Sequence, residues 1–241
     1  MPFITLTGAD DSTPQEALWR LAKTSDFDTD KQPEIEFGIL YSASNQGIGR
    51  YPSFEWIEKL TEKINAETGP GFALHVCGRA VRDFLAGSGH VSEVASAFDR
   101  VQINFRSIDF TLTEIADCIR RNPSKTIITQ HNEANRHLFQ GLLNLGNHAV
   151  LFDESGGRGK SPGTWDGSLV AVDCGYAGGL GPDNLAAELP KIHAAADGMP
   201  YWVDMEGKLR NEHDQFDLKL AQQCLAIAGR FYREQITQEW Q

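Results

Sequence analysis

The sequence predicts an α/β fold, a single-domain (β/α)8 barrel of the TIM type. Eight short apolar segments run along the chain, each ending in glycine or polar residues, and helix-like sequence separates most of them. This alternation is typical of a parallel sheet flanked by helices, and 241 residues come close to the ~250 of one such barrel. The segments are Ile4–Gly8, Phe37–Ser42, Phe72–Gly78, Val101–Phe105, Thr126–His131, Ala149–Asp153, Leu169–Asp173 and Tyr201–Asp204.

Helices between these segments follow from caps and apolar spacing. We expect them over Ser53–Asn65, Thr111–Arg121 and Asp217–Ile236, over Ala80–Leu85 with a second short helix through Phe98, and from Pro182–Asn184 onward. Pro123 should end the Thr111 helix, because proline cannot continue it. No linker or low-complexity tract divides the chain, so residues 1–241 are predicted to form one domain.

Composition narrows the function classes. A formal net charge of −11 argues against nucleic acid as the main ligand, because phosphate backbones need a basic footprint. It leaves room for a small anion held by backbone amides and a few cations. No apolar stretch approaches the ~20 residues of a membrane span, and no signal peptide is evident. The four cysteines form no CxxC pair, so reduced thiols in the cytoplasm are expected.

The sharpest local pattern is a carboxylate at the end of the sixth segment, followed by a loop rich in glycine. Asp153 should point into the mouth of the barrel, where it could transfer a proton, and Arg158 in the loop after it is a candidate substrate-binding residue. The alternative is that Asp153 caps a turn and that the glycines only make the loop flexible.

Glycines after the seventh and eighth segments predict a phosphate site. Barrels often bind phosphate with these two loops, and Gly178, Gly179 and Gly207 stand there. The alternative is that these glycines are there because the chain makes tight turns. Glu206 would repel a bound dianion unless it turns away or pairs with Lys208.

Other polar residues at strand ends are candidates for the mouth. Asn104 and His131 could contact a substrate there. His75 and Cys77 should share one side of the third strand, because successive side chains alternate faces. They could bind a metal together, but no third ligand stands at a clear spacing, so no metal and no cofactor are expected.

The order of these pieces resembles the phosphoribosylanthranilate isomerase family of (β/α)8 barrels over most of the chain. The most specific match is Ala177–Asn184, which is similar to the family's Ala-Gly-Gly-Leu-x-Pro-x-Asn. The matching stretches are Gly38–Ser42 with Arg50–Ser53, Val101–Asn104, Leu151–Asp153 with Gly156–Gly159 and Trp165, Ala177–Asn184, and Val203–Asp204 with Gly207.

The resemblance implies a cofactor-free Amadori-type rearrangement of an aminoaldose phosphate. Asp153 falls on the family's general acid, Arg50 on its substrate-contacting arginine, and Gly178, Gly179 and Gly207 on its phosphate loops. The family's general base is a cysteine that ends the first strand, where this chain has Thr7. The chain is therefore identified as a divergent member.

Three hypotheses follow. The first is an isomerase-like barrel acting on a small, phosphorylated sugar derivative, with Asp153 as acid and Cys77, His75 or Thr7 as base. The second is a non-catalytic barrel that binds a small metabolite or a protein partner, which a mouth filled by Trp165 or Tyr41 would favour. The third is another barrel reaction, such as a Schiff-base aldolase using Lys208. A monomer or homodimer is expected.

Overall fold

A computed structural model describes residues 3–23, 34–105, 109–153, 162–169 and 172–239 of the chain. Eight parallel strands close into one barrel in chain order, with the last strand paired to the first. They are β1 (Phe3–Thr7), β2 (Glu34–Ser42), β3 (Gly71–Cys77), β4 (Arg100–Asn104), β5 (Thr126–His131), β6 (His148–Phe152), β7 (Asp173–Ala177) and β8 (Tyr201–Met205). The predicted (β/α)8 barrel is confirmed, whereas the assignment of residues 1–241 to one domain stays a prediction.

Helices surround the barrel as an outer layer. They are α1 (Gln15–Lys23), α2 (Phe54–Ala66), α3 (Ala80–Ala86), α4 (Gly89–Ala95), α5 (Leu112–Arg121), α6 (Arg136–Phe139), α7 (Leu185–Ala196) and α8 (Leu218–Glu239), with a 3-10 turn at Gly207–Leu209. The predicted pair of short helices after β3 is present, although α4 ends at Ala95 and not at Phe98. Between β6 and β7, the described residues 153, 162–169 and 172 form no helix.

Side-chain caps fix where two helices begin. The Ser53 hydroxyl accepts a hydrogen bond from the backbone N–H of Trp56 and so caps α2. Thr111 and Glu114 form a reciprocal capping box at the start of α5. That helix ends at Arg121, two residues before a proline, as the sequence predicted.

The seventh strand is the one that the sequence misplaced. It was expected over Leu169–Asp173 but runs over Asp173–Ala177, while Leu169 precedes it and donates its N–H to Cys174 Sγ at 3.3 Å. The strand escaped notice because its inward position is Gly175. A Cβ at residue 175 would lie 2.1 Å from the Trp202 ring. Any side chain at this position of β7 would therefore collide with Trp202 of β8, and the strand lacks an inward apolar side chain. Val170 and Ala171 lie outside the described residues.

The apolar core has two parts, which follow from the alternation of side chains along each strand. The larger part fills the space between the strands and the helices. The smaller part lies inside the barrel and consists of Ile128, Ala149, Leu151 and Trp202. With so small an apolar plug, polar side chains have to complete the barrel interior.

An ion pair fills the interior near the amino ends of the strands. Arg100 Nε lies 2.8 Å from Glu36 Oε2, and the Thr5 hydroxyl donates to the same carboxylate at 2.8 Å. The guanidinium stacks over the rings of Phe3 and Trp202, at 4.6 and 4.4 Å from their centroids. Burial raises the pKa of Glu36, while the charge of Arg100 opposes that rise.

Replacing Arg100 by methionine should destabilise the barrel in a pH-dependent way. Methionine keeps much of the packing but leaves Glu36 without its counter-charge, so the pKa of Glu36 rises further above that of the unfolded chain. A raised pKa means that stability is lost as the pH rises. We expect a loss of about 3 kcal/mol in the free energy of unfolding near pH 8 and a smaller loss near pH 5. Urea unfolding measures both values.

Arg120→Met is the matched control, because Arg120 is exposed and pairs with Asp117 on the surface of α5. It should change the stability by less than about 0.5 kcal/mol. Equal losses for the two variants, or a loss at Arg100 that does not depend on pH, would contradict the role given to the buried pair.

Candidate active site

A cavity of about 710 Å³ opens at the carboxyl ends of the strands. Most of the predicted site residues line this mouth, namely Arg50, His75, Cys77, Asn104, Asp153, Gly178, Gly179 and Gly207. Asp204, Glu206 and Lys208 line it as well. Thr7 and His131 do not, and Arg158 lies outside the described residues. The geometry therefore concentrates carboxylates, amides and glycine backbone around one opening.

Asp204, in the second-last position of β8, is the most perturbed acid of the mouth. Its side chain is 7% exposed, and the Thr7 hydroxyl donates to its Oδ1 at 2.7 Å. Burial raises its pKa to about 7, the Thr7 hydrogen bond opposes that rise, and the charges of Glu206 and Asp153 add to it. This carboxyl group therefore changes its protonation state near neutral pH.

Thr7 holds Asp204 from beneath the mouth and does not line the cavity. Its side chain is fully buried at the end of β1. Gly38 on the neighbouring strand leaves room for it, since a Cβ at residue 38 would lie 2.1 Å from Thr7 Oγ1. Because its hydroxyl donates a hydrogen bond to Asp204, Thr7 is placed to orient that carboxylate. The position offers no contact with a ligand in the cavity.

His75 and Cys77 share the inner side of β3, as the alternation predicted. Burial lowers the pKa of His75 to about 4 and raises the pKa of Cys77 to about 11. Both groups are therefore uncharged at neutral pH. Asn104 Nδ2 donates to the Cys77 sulfur at 3.3 Å, and His75 Nε2 lies 3.9 Å from Asp204 Oδ2.

His131 lies on the outer side of β5, so the prediction that it reaches the mouth is wrong. Its ring packs edge-on against Phe139 and Phe152, with centroids 5.2 and 5.1 Å away. Because neighbouring strand residues face opposite sides, Gln130 points into the mouth in its place. Both residues stand at the end of the same strand, and only the register of that strand decides which of them faces the mouth.

Arg50 lies at the rim of the mouth, where its guanidinium is paired with two carboxylates of the chain. Its guanidinium lies 2.5 Å from Glu206 Oε1 and 3.4 Å from Asp214 Oδ1. Glu206 thus pairs with Arg50 and not with Lys208, whose ammonium lies 2.9 Å from Asp183. Both cations that line the mouth are therefore paired with carboxylates of the chain itself.

The loops after β7 and β8 lie side by side at one edge of the mouth. Gly178 and Gly179 adopt φ of 132° and 60°, in the region that favours glycine. The Asn184 side chain holds this turn, because it accepts from Gly181 N–H and donates to the Gly179 carbonyl, both at 2.9 Å. Gly207 has open space around it. These three glycines line the cavity and bring no side chain of their own to it.

A metal site finds no support in the part of the chain that the structure describes, where no three His, Cys, Asp or Glu side chains are grouped as metal ligands. Likewise, no described helix combines the length and the apolar character needed to cross a bilayer.

The comparisons with known proteins agree with this architecture. No protein-family model and no curated protein sequence matches the chain. Among solved structures, TrpF from Jonesia denitrificans is 18% identical with a TM-score of 0.61, covering 95% of this chain and 97% of its own. A phosphoribosyl anthranilate isomerase bound to reduced 1-(o-carboxyphenylamino)-1-deoxyribulose 5-phosphate is 15% identical with a TM-score of 0.57, covering 95% and 98%.

A tryptophan synthase alpha-subunit from Pyrococcus furiosus is also similar, at 13% identity and a TM-score of 0.55, covering 98% of this chain and 96% of its own. The resemblance to phosphoribosylanthranilate isomerase is thus confirmed as a likeness of structure, with the low identity of a divergent chain. At these identities the likeness shows the shared barrel alone.

In the sequence, Asp204 is marked only as a position of the family resemblance. One signal could have found it: Trp202-Val203-Asp204 repeats the arrangement of Leu151-Phe152-Asp153, in which a strand ends on a carboxylate. Two strands of one barrel that end in this way bring two carboxylates to the same mouth.

Asp204→Asn should make the protein more stable at neutral and alkaline pH. The folded-state pKa of about 7 lies above the ordinary 3.8, so the folded protein loses stability as the pH rises from about 4 to about 7. Asparagine removes that cost, which amounts to up to about 4 kcal/mol for a shift of about three units. Unfolding measured near pH 8 should show the gain, and the gain should shrink near pH 4.

Asp173→Asn is the control, since Asp173 is exposed at the opposite end of a strand. It should leave the stability nearly constant at both pH values. A destabilised Asp204→Asn variant near pH 8 would contradict the raised pKa.

Proposed function

We propose that this protein is an isomerase that moves a proton within a small phosphorylated sugar derivative by general acid–base catalysis, in an Amadori-type rearrangement. The observation that carries the proposal is the pair of buried carboxylates at the mouth, Asp153 and Asp204. Burial, with the charges of Glu206 and Asp153 adding to it, raises the pKa of Asp204 to about 7, so this pair keeps one proton up to about neutral pH. A proton donor and a proton acceptor are what such an isomerisation needs.

We assign the base to Asp204 and the acid to Asp153. The Thr7 hydroxyl donates to Asp204 and so favours the carboxylate there, which leaves Asp153 to carry the one proton that the pair keeps up to about pH 7. The Cys77 thiol stays protonated at neutral pH, and the His75 ring is too weak a base with a pKa of about 4. Thr7 becomes a positioning residue that orients Asp204 through its hydroxyl. This assignment replaces Cys77, His75 and Thr7 as candidate bases.

The proposed reaction has two proton transfers. The acid Asp153 protonates the ring oxygen of the aminoaldose, the C1–O bond breaks, and the ring opens to an iminium. The carboxylate of Asp204 then takes the proton from C2, and the electrons of that C–H bond neutralise the iminium as an enolamine. Tautomerisation gives the aminoketose, and proton exchange returns both carboxyl groups to their starting states.

The phosphate of the substrate would lie at Gly178, Gly179 and Gly207. Two features support this placement: the loops after β7 and β8 expose backbone there, and Asn184 keeps the β7 loop in shape. Glu206 turns toward Arg50, which removes the repulsion that its sequence position suggested. The similar isomerase structure that contains a ribulose 5-phosphate derivative supports the same substrate class.

Two observations favour an enzyme over a non-catalytic barrel or an aldolase. Neither Trp165 nor Tyr41 fills the described part of the mouth, because the Trp165 indole donates to Glu188 and the Tyr41 hydroxyl contacts His90 instead. Lys208 forms an ion pair with Asp183, an arrangement unsuited to a Schiff-base nucleophile. A cytoplasmic location and a monomeric or homodimeric state stay predictions from the sequence.

The test is turnover of phosphoribosylanthranilate, followed by the loss of its fluorescence. We expect activity in the wild type and a fall in kcat/KM of about 100-fold or more for Asp153→Asn and Asp204→Asn, the usual worth of a general acid or base. In the wild type, kcat/KM should fall as the pH rises through about 7, because the pair of carboxyl groups then loses the proton that the general acid must donate.

Asp173→Asn, the same chemical change outside the mouth, should keep wild-type activity. Thr7→Cys discriminates between the bases. An inactive wild type with an active Thr7→Cys variant would mean that Asp204 is not a base and that the pocket needs a thiol. Silence in both would overturn the isomerase proposal.

A further inference from the structure

Glu206 lies between the two ends of the proposed reaction. It follows Asp204 by two residues and directly precedes Gly207, and all three residues line the mouth. Asp204 is the proposed base, and Gly207 belongs to the proposed phosphate site. Burial raises the pKa of Asp204 and of Cys77, and the charge of Glu206 adds to both shifts, so this carboxylate is close to the reacting end. The part of a substrate that faces Glu206 therefore lies between its phosphate and its reacting carbons.

One oxygen of the Glu206 carboxylate is occupied and the other is available. Oε1 accepts a hydrogen bond from the Arg50 guanidinium at 2.5 Å. Oε2 has no hydrogen-bond partner within the part of the chain that the structure describes. The side chain is 36% exposed and lines the cavity, so a ligand in the mouth can reach it. An ionised carboxylate only accepts hydrogen bonds, and the group that binds Oε2 must therefore be a donor.

A chain of alternating charges holds this carboxylate in place. Arg50 also pairs with Asp214 at 3.4 Å, and Asp214 Oδ1 accepts from Arg210 Nε at 2.7 Å. Arg210 in turn lies 2.6 Å from Asp10, and both of these side chains are buried. The chain of ion pairs thus begins in the interior and ends at the mouth. An acceptor that is held before the ligand arrives loses little freedom on binding, which favours affinity.

The charges around Oε2 favour a neutral donor. An anionic group would be repelled by Glu206 itself and by Asp204. A cationic group would compete with Arg50, which already balances the charge of Glu206. A hydroxyl group avoids both costs, and its hydrogen bond to an ionised acceptor is stronger than one to a neutral acceptor. Hydroxyl groups are also what a sugar presents between its phosphate and its reacting carbons.

We propose that Glu206 is a specificity-determining residue whose Oε2 accepts a hydrogen bond from a hydroxyl of the sugar, on a carbon between C2 and the phosphorylated carbon. In a five-carbon sugar 5-phosphate, that hydroxyl is on C3 or C4. The substrate class is then a sugar phosphate with a free hydroxyl there, and a deoxy sugar or one phosphorylated at that carbon is discriminated against. This inference rests on the proposed function for the placement of the phosphate and of the reacting carbons.

Binding of unreactive sugar alcohols tests this directly. The probes are ribitol 5-phosphate and its 3-deoxy and 4-deoxy analogues, which have no carbonyl group and therefore bind without reacting. Calorimetry gives the affinity of each probe for the wild type and for Glu206→Gln. Glu212→Gln is the matched control, because Glu212 is exposed in the same loop and loses the same charge.

In the wild type, at least one deoxy analogue should bind about tenfold or more weakly than ribitol 5-phosphate, as expected for the loss of a hydrogen bond to a charged acceptor. Glu206→Gln should cut this penalty at least about threefold, because an amide is the weaker acceptor. The deoxy analogue itself should bind this variant at least as tightly as it binds the wild type, because a negative charge beside the phosphate site is gone. Glu212→Gln should keep the wild-type penalty.

A wild-type penalty below about tenfold for both analogues would overturn the hydroxyl site, whatever the isomerase assay shows. Failure of the wild type to bind ribitol 5-phosphate, or a penalty that persists in Glu206→Gln, would overturn it as well. A penalty that depends on Glu206, together with no turnover of phosphoribosylanthranilate, would keep the hydroxyl site and reject the proposed reaction.

Discussion

The hydrogen bond from Thr7 to Asp204 joins the first and last strands of the barrel at the point where the proposed chemistry depends on them. The barrel closes by pairing β1 with β8, and this contact lies at the carboxyl end of that seam. Gly38 gives up a side chain so that Thr7 fits. Closure of the fold and orientation of a carboxylate are thus one structural feature, and burying Asp204 costs stability while it raises the pKa on which the proposed chemistry depends.

Much of the architecture could be predicted because periodicity and caps are local signals. The eight segments, the Ser53 and Thr111 caps and the glycine-rich strand ends all act within a few residues. The seventh strand was misplaced for a non-local reason: Trp202, which belongs to another strand, fills the space above Gly175. An apolar run was expected for the seventh strand, whereas packing against Trp202 requires glycine at residue 175.

The same division explains the candidate site. Position at a strand end could be predicted for Asp153, His75 and Cys77, since it depends on alternation within one strand. The protonation states of these side chains could not be predicted from the sequence, because their pKa values depend on burial and on neighbours that other strands supply. Thus Asp204, which the sequence marks only as a strand-end residue, acquires a pKa near 7, whereas the more conspicuous Cys77 and His75 are held uncharged. His131 was misjudged because neighbouring residues of β5 face opposite sides of the sheet.

The pKa of Asp204 is the quantity on which the account depends, and a carbon-13 NMR titration of its side-chain carboxyl measures it directly. Asp204→Asn identifies the resonance by its absence. The account predicts a midpoint near 7 in the wild type. In Thr7→Val the midpoint should be higher, because the hydrogen bond that favours the carboxylate is gone. A wild-type midpoint near 4, the value of an ordinary exposed aspartate, would contradict the proposal that this buried carboxyl group is the base.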